Sequence, residues 1–436
     1  MISALPSETD VHTKSIVSPA GAELFSLVQG CALVLLLMTM MSPCLRAQAA
    51  PPSGAGTAPA HPEVRISVGP MGYMPPGDLP AFYYYALVEL HYIDASHLMF
   101  AFNSPGLLKR DNNCPGSETQ RMVRAVAIQL PSGQAIRQAD WELYDFMDFL
   151  WRLGDGQLLL RRCNQLESVD ADLHPRLLIQ ATGTIEDVSF SPDSAIAVIQ
   201  EKVAPHTDEK DSGAVPSILE QGTEAQRTNV DFIQMQPLKI IARSEVPLPS
   251  SIPVTASGLI EVLTAPKDQW VLNMQVFRGT QHQIATVHSL CPPAVRAITD
   301  NVLMVTTCDK GNQRTFQGFN LQGSLLWQIP LLPNQYYPRI IPISKDAHFA
   351  IESLRLKTSH AAPEPLTRED IDGEDIDIYD TLSGVRIANF ETAPAYTGGS
   401  NVDFSPDGTR MAVLHDGAIE IYAISDLAKT SLGTPH

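Results

Sequence analysis

An all-β chain folded as a single β-propeller, with seven blades of mostly four antiparallel strands, is the fold class this sequence predicts, on three observations. An Asp stands in a short polar turn ahead of an apolar run seven times, at Asp94, Asp155, Asp193, Asp268, Asp300, Asp346 and Asp407, with runs such as Ile196–Ile199 and Met411–Leu414 behind it. The intervals average about 52 residues, the size of one four-stranded blade with its loops. A second hairpin type recurs between those turns, at Ile128 to Gly133, Phe319 to Gly323 and Ile378 to Gly384, where apolar alternation runs into a polar turn closed by Gly. The 34 prolines and 27 glycines, without long helical patterns, suit many short strands joined by turns.

Taken in order, residues 1–49 read as a signal peptide. Leu24 to Met41 is nearly all apolar, and Ala47-Gln48-Ala49 supplies the small residues of a cleavage site, so cleavage is expected after Ala49, with export to the periplasm or beyond. An uncleaved anchor is the alternative, because 18 apolar residues can just span a bilayer. Residues 50–63, rich in Pro, Ala and Gly, read as a disordered linker. The propeller is expected over 64–426, followed by a tail over 427–436. Within it, Phe404-Ser405-Pro406-Asp407-Gly408 places Pro at i+1 of a type I turn, and Asp416-Gly417 starts a two-residue hairpin. The last blade shows only three strands of its own, so Val64 to Val68 is expected to supply the fourth and close the ring. The 32 residues from Asp268 to Asp300 are short for four strands, which suggests a blade without its outer strand or, alternatively, a ring of six or eight blades. Polar stretches at 202–229 and 354–370 read as loops beyond blade edges.

These turns carry a resemblance. The Phe404 to Gly408 turn and the Ile378 to Gly384 hairpin resemble WD40-like and YVTN-type propeller repeats, and the hairpin from Gly323 to Trp327 is similar to quinoprotein-type repeats. The stretch from His97 to Asp172, with Phe100-Ala101-Phe102-Asn103 and Trp151-Arg152-Leu153-Gly154-Asp155-Gly156, resembles exported bacterial propeller proteins of unassigned function. The resemblance spans roughly residues 64–426 and implies a scaffold; it implies no catalytic residue.

The formal charge of −18, with acids spread along the chain, excludes the basic surface that nucleic acid requires. No stable membrane insertion is expected once the signal is removed. Four cysteines remain after cleavage, Cys114, Cys163, Cys291 and Cys308, an even number in an exported chain, and the expected disulfides are Cys114–Cys163 and Cys291–Cys308, with buried thiols as the alternative.

No Gly-x-Ser-x-Gly elbow, His-Glu-x-x-His pair, phosphate-cradling loop or Cys-x-x-Cys occurs. The acidic stretch Asp370 to Asp377 lacks the order of a calcium loop and reads as a solvated loop entering a strand. His282 and His288 share a strand face but lie about 20 Å apart, too far to ligate one metal. His91 and His97 straddle the Asp94 turn with no evident third ligand, and Phe82 to Tyr85 reads as a strand with its hydroxyls at the rim. No cofactor or metal is expected. The function expected is therefore binding or scaffolding of a protein, peptide or glycan by a monomer. Lys109, Arg110 and Arg121 form a candidate basic patch on the face that bears the Cys114 and Cys163 loops. The alternative is a lyase- or glycosidase-like enzyme whose acids and bases converge at the channel mouth; the discriminator is a His with a carboxylate, or two carboxylates, within reach of one point.

Overall fold

The computed structural model describes residues 61–74, 88–104, 121–143, 148–202, 228–246, 252–310, 313–343, 347–357, 368–393, 395 and 399–432. Strand β1 is Val64–Ser67. Blade 1 holds β2 (Val88–Asp94), β3 (His97–Ser104), β4 (Arg121–Gln129) and β5 (Gln134–Leu143). Blade 2 holds β6 (Leu150–Gly154), β7 (Gln157–Arg162), β8 (Gln165–Val169) and β9 (Arg176–Gln180). Blade 3 holds β10 (Thr184–Phe190), β11 (Ile196–Lys202), β12 (Thr228–Gln234) and β13 (Lys239–Val246). Blade 4 holds β14 (Val254–Thr255), β15 (Gly258–Ala265), β16 (Gln269–Val276) and β17 (His282–His288). Blade 5 holds β18 (Ala294–Ala297), β19 (Val302–Cys308), β20 (Arg314–Asn320) and β21 (Leu325–Pro330). Blade 6 holds β22 (Gln335–Pro342), β23 (His348–Leu356), β24 (Ile371–Asp380) and β25 (Arg386–Thr392). The last segments are β26 (Gly399–Ser400), β27 (Val402–Phe404), β28 (Arg410–His415) and β29 (Ala418–Ala423), then helix α1 (Ile424–Leu432).

The seven sheets are antiparallel meanders, as the sequence predicts, and the ring closes through the N-terminal strand. β1 pairs with β29 in the order β1-β29-β28-β27, with Val64 opposite Ile421 and Ser67 opposite Ala418. On the inner side, β26 runs parallel to β2, with Glu89 opposite Ser400. Most second strands are covered by a neighbouring blade on both faces, so they read as apolar runs; β15 of blade 4 is the exception. Leu158 to Leu160, Ala197 to Ile199, Val302 to Val305 and Met411 to Leu414 are buried throughout. The core is accordingly divided into seven clusters, one at each blade boundary, rather than gathered in a single centre.

The Asp turns work by hydrogen bonding. Asp193 Oδ1 accepts from the Ser191 hydroxyl at 2.6 Å and from the Ala195 amide at 2.9 Å. Asp407 does the same with Ser405 at 2.6 Å and Thr409 at 3.1 Å, and the Ser405 hydrogen bond leads the effects that hold its carboxyl below the usual range. Gly408 follows at φ +68°, and Asp416 and Gly417, at +47° and +71°, form the primed turn that the sequence predicts.

Three details differ from the sequence reading. Blade 4 keeps all four strands, and the irregular spacing is a slip of phase: Asp268 lies between the second and third strands, whereas Asp94, Asp155, Asp193, Asp300 and Asp407 lie between the first and second. Asp346 is outside the described residues. Blade 4 uses Ala256 and Ser257 at its first turn, where the Ala256 amide donates to Asp300 of blade 5 at 2.9 Å. The acidic stretch expected as a solvated loop is mostly strand β24, with Glu374, Asp375 and Asp377 buried. Their burial is offset by polar partners: Asn401 donates to Glu374 at 2.6 Å, Arg355 pairs with Asp375 at 2.6 Å, and Arg386 pairs with Asp377 at 3.1 Å. Finally, Ile424–Leu432 is helical, and Ile424 and Leu427 are buried in the cluster between blades 6 and 7. The segment expected as a tail begins inside that helix.

Candidate functional site: the axial channel

The inner strands of all seven blades line one open cavity of about 820 Å³ along the propeller axis. A first strand that read as apolar with an occasional charge directs that charge into the channel. Glu89 and His91 come from β2, Asp148 and Arg152 from in and beside β6, Asp187 from β10, Arg296 from β18, Arg339 from β22 and Asp403 from β27. This mixed-charge lining was missed at the level of sequence. The signal was present as isolated charges in otherwise apolar first strands, such as Val88-Glu89-Leu90-His91 and Ala294-Val295-Arg296-Ala297.

Part of the lining is internally paired. Arg152 spans from blade 2 to Asp403 of blade 7 at 2.7 Å, and Asp403 also accepts the Tyr92 amide at 2.7 Å; Arg152 donates in addition to the Phe404 carbonyl. Arg339 pairs with Glu352 at 2.6 Å and donates to the Ser400 hydroxyl at 3.1 Å. His91 Nε2 lies 3.0 Å from Glu89 Oε2, and its Nδ1 lies 3.8 Å from Asp403. Other parts face the solvent of the channel: Asp148 and Arg296 are exposed, and Asp187 is half-buried with a 3.0 Å hydrogen bond from Gln200.

Burial raises the pKa of Glu89, which is 2% exposed, and the hydrogen bond to His91 offsets that only in part; Asp148 adds to the rise. Asp187 is raised as well, first by burial and then by Asp148. For a carboxyl whose folded value exceeds its ordinary one, the native state binds more protons between the two values, so stability falls as pH rises through that window. Glu89→Gln is therefore expected to flatten the decline in urea midpoint as pH rises above the ordinary carboxylate range. Parallel pH profiles for variant and parent would refute the assignment.

Of the residues chosen from sequence, the Cys291–Cys308 pair is placed as expected and Arg121 is not. Arg121 is 7% exposed, with its guanidinium 5.0 Å from the Phe149 ring centre and a 3.4 Å hydrogen bond to Asn103. It is a packing residue between blades 1 and 2, not part of an open basic patch, because its position on β4 faces the neighbouring blade. Lys109 and Arg110 lie outside the described residues. Cys291 and Cys308 form a disulfide with Cα atoms 5.8 Å apart. Cys163, in the turn between β7 and β8, is also disulfide-bonded, and Cys114 lies outside the described residues. His282 and His288 share β17, as expected, and both are exposed. His97 bonds Asp94 at 2.9 Å and Gln129 at 2.9 Å, away from His91. Among the described residues no group of three or more His, Cys, Asp or Glu could hold a metal ion, and no helix is long and apolar enough to cross a membrane. The aromatic run Phe82 to Tyr85 and the apolar segment Leu24 to Met41 lie outside the described residues.

Fold and channel together define a seven-bladed β-propeller with a charged axial cavity. No protein-family model matches the chain, and no curated protein matches it. Solved structures similar to it include the acylaminoacyl peptidase of Pyrococcus horikoshii, at 11% identity and TM-score 0.46, over 77% of this chain and 50% of that one. The β-propeller domain of the Trilobed protease from Pyrococcus furiosus is similar at 10% identity and TM-score 0.45, over 79% and 99% of the two chains. A putative TolB from Agrobacterium tumefaciens is similar at 14% identity and TM-score 0.40, over 70% and 98%. This chain spans about half the length of the peptidase. Likenesses of this degree concern the fold alone.

Proposed function

We propose that this protein is an exported binding module that takes a charged part of a protein, peptide or glycan partner at the mouth of its axial channel. One observation carries the reading: a cavity of about 820 Å³ is lined by fixed charges, of which Asp148 and Arg296 are exposed to its solvent and form no ion pair with a described residue. Fixed charges in a narrow site with low-dielectric walls give orientation and specificity to a charged partner. Export is supported by the apolar run before Ala47-Gln48-Ala49 and by three disulfide-bonded cysteines, Cys163, Cys291 and Cys308, which suit an oxidising compartment. The turn at Phe404 to Gly408 supports reading the repeats as WD40-like or YVTN-type.

The channel gathers Glu89, His91 and Asp403, which favours the enzyme alternative at first sight. Both ring nitrogens of His91 face carboxylates, however, at 3.0 and 3.8 Å. With each ring nitrogen turned to a carboxylate of the protein itself, neither is directed at a substrate proton. A binding role makes better use of it.

The side of the channel where the inner strands begin is also the side of the connections between second and third strands, including the turn at Cys163. The test is capture of partners from cell envelopes by the full chain and by an Asp148→Lys, Arg296→Glu double variant. Partners held by the channel should be lost from the variant, while its melting temperature stays within about 2 °C of the parent, as expected for exposed sites. An identical set of partners on both baits would refute channel binding.

A further inference from the structure

Four successive blades, 2 to 5, build one stretch of channel wall with opposite charges at its two ends. Asp148 and Asp187 stand on blades 2 and 3, Arg296 stands on blade 5, and the inner face of blade 4 between them offers only Ile252, Pro253 and Val254. Arg296 is close enough to act on Asp187 through space, yet it forms no ion pair or hydrogen bond with a described residue. Asp148 opposes it, favouring the protonated form of Asp187. The apolar stretch keeps the acid and the base apart. Elsewhere in the channel the charges are neutralised by direct contact, as in Arg152 with Asp403 and Arg339 with Glu352. Here they are left to a third party.

Resting on the channel-binding reading above, we propose that this wall is a subsite for a small zwitterion: a protonated amine seats on Asp148 and Asp187, a carboxylate seats on Arg296, and a short apolar body lies against Ile252 to Val254. A guanidinium holds a carboxylate through two parallel donors, and an ammonium offers three donors to two carboxylates, so both ends have matched partners. An unblocked short peptide and a free α-amino acid share this chemistry. The cavity, at about 820 Å³, has room for either.

Titration calorimetry on the full chain tests it with four probes: Leu-Leu, its N-acetyl form, its C-terminal amide, and free leucine. Leu-Leu should bind, and each blocked form should bind at least about tenfold more weakly, since each loses one charge-assisted contact. Arg296→Ala should abolish the penalty for amidation alone, and Asp187→Asn the penalty for acetylation alone. Free leucine tighter than Leu-Leu would name the amino acid as the ligand; weaker would name the peptide. Equal affinity for Leu-Leu and both blocked forms would overturn the proposal, and so would a lack of binding by all four probes. In that last case, loss of envelope partners from the charge-reversed bait would still stand for channel binding, so the two failures are separable.

Discussion

Deleting residues 64–69 is expected to destabilise the whole ring rather than fray one edge of it. Those residues carry the β1 pairing with β29, in which Val64, Arg65, Ile66 and Ser67 oppose Ile421, Glu420, Ile419 and Ala418. Ile66 at 4% and Val68 at 0% exposure pack into the cluster between blades 7 and 1, with Tyr92, Phe100, Ile128 and Leu414. Burying two such side chains stabilises by about 3–6 kcal/mol. That is a large share of the roughly 5–15 kcal/mol that separates a folded from an unfolded domain. The deletion also takes Arg65 from the buried Glu420 carboxylate and leaves β29 as an open edge. A strongly lowered urea midpoint, or aggregation on expression, is the expected outcome. Ile66→Ala, which leaves the backbone pairing in place, should cost about 2–5 kcal/mol. A deletion variant that melts cooperatively at the parent's temperature would show that the other six boundaries hold the ring without this one.

How much of this was legible in the sequence follows from where the side chains point. Second strands such as β7 and β28 are buried on both faces, so Leu158 to Leu160 and Met411 to Leu414 announce themselves as apolar runs, and the Asp turns ahead of them fix the phase. Blade 4 broke the pattern because its second strand, β15, carries Glu261, Thr264 and only partial burial, while its third, β16, begins Gln269-Trp270 directly after the Asp268 turn. The stronger signal was one strand late, and a shortage of residues resulted that the structure does not have. Burial of Asp375 and Asp377 was illegible for a different reason. Their partners Arg355 and Arg386 come from the strands on either side, and a run of acids reads as solvated until those cations are placed beside it. The channel charges were hidden by distance along the chain, since Glu89, Asp187, Arg296 and Asp403 are single residues on four separate blades. Only ring closure brings them to one axis.

Trp327 is the place where one side chain holds two blades together, and Trp327→Ala is expected to cost about 3–5 kcal/mol. It projects from β21, the outer strand of blade 5, into blade 6, where it is 7% exposed. Its ring stacks on Phe349, with centres 5.3 Å apart at 15°, and Phe349 stacks in turn on Tyr379 at 5.4 Å. The indole Nε1 donates to the Thr381 carbonyl at 2.8 Å. Two glycines make the space. A Cβ on Gly318, its partner across the β20–β21 pair, would stand 2.2 Å from the indole, and one on Gly384 would stand 2.5 Å from it at a φ of +64°. Gly318 and Gly384 are thus parts of the same device, contributed by neighbouring blades. Trp327→Phe keeps much of the stacking but leaves the Thr381 carbonyl without its donor, so an intermediate loss of about 1–3 kcal/mol is expected. Gly318→Ala should lower stability by about 1–3 kcal/mol through overpacking in the parent. In the Trp327→Ala background, where the indole is gone, the same change should cost markedly less. Urea denaturation of the four proteins forms a double-mutant cycle, and its coupling energy reads the contact directly. Additive losses would mean that Gly318 is required by the backbone rather than by the indole, and a Trp327→Ala variant within about 0.5 kcal/mol of the parent would refute the dock itself.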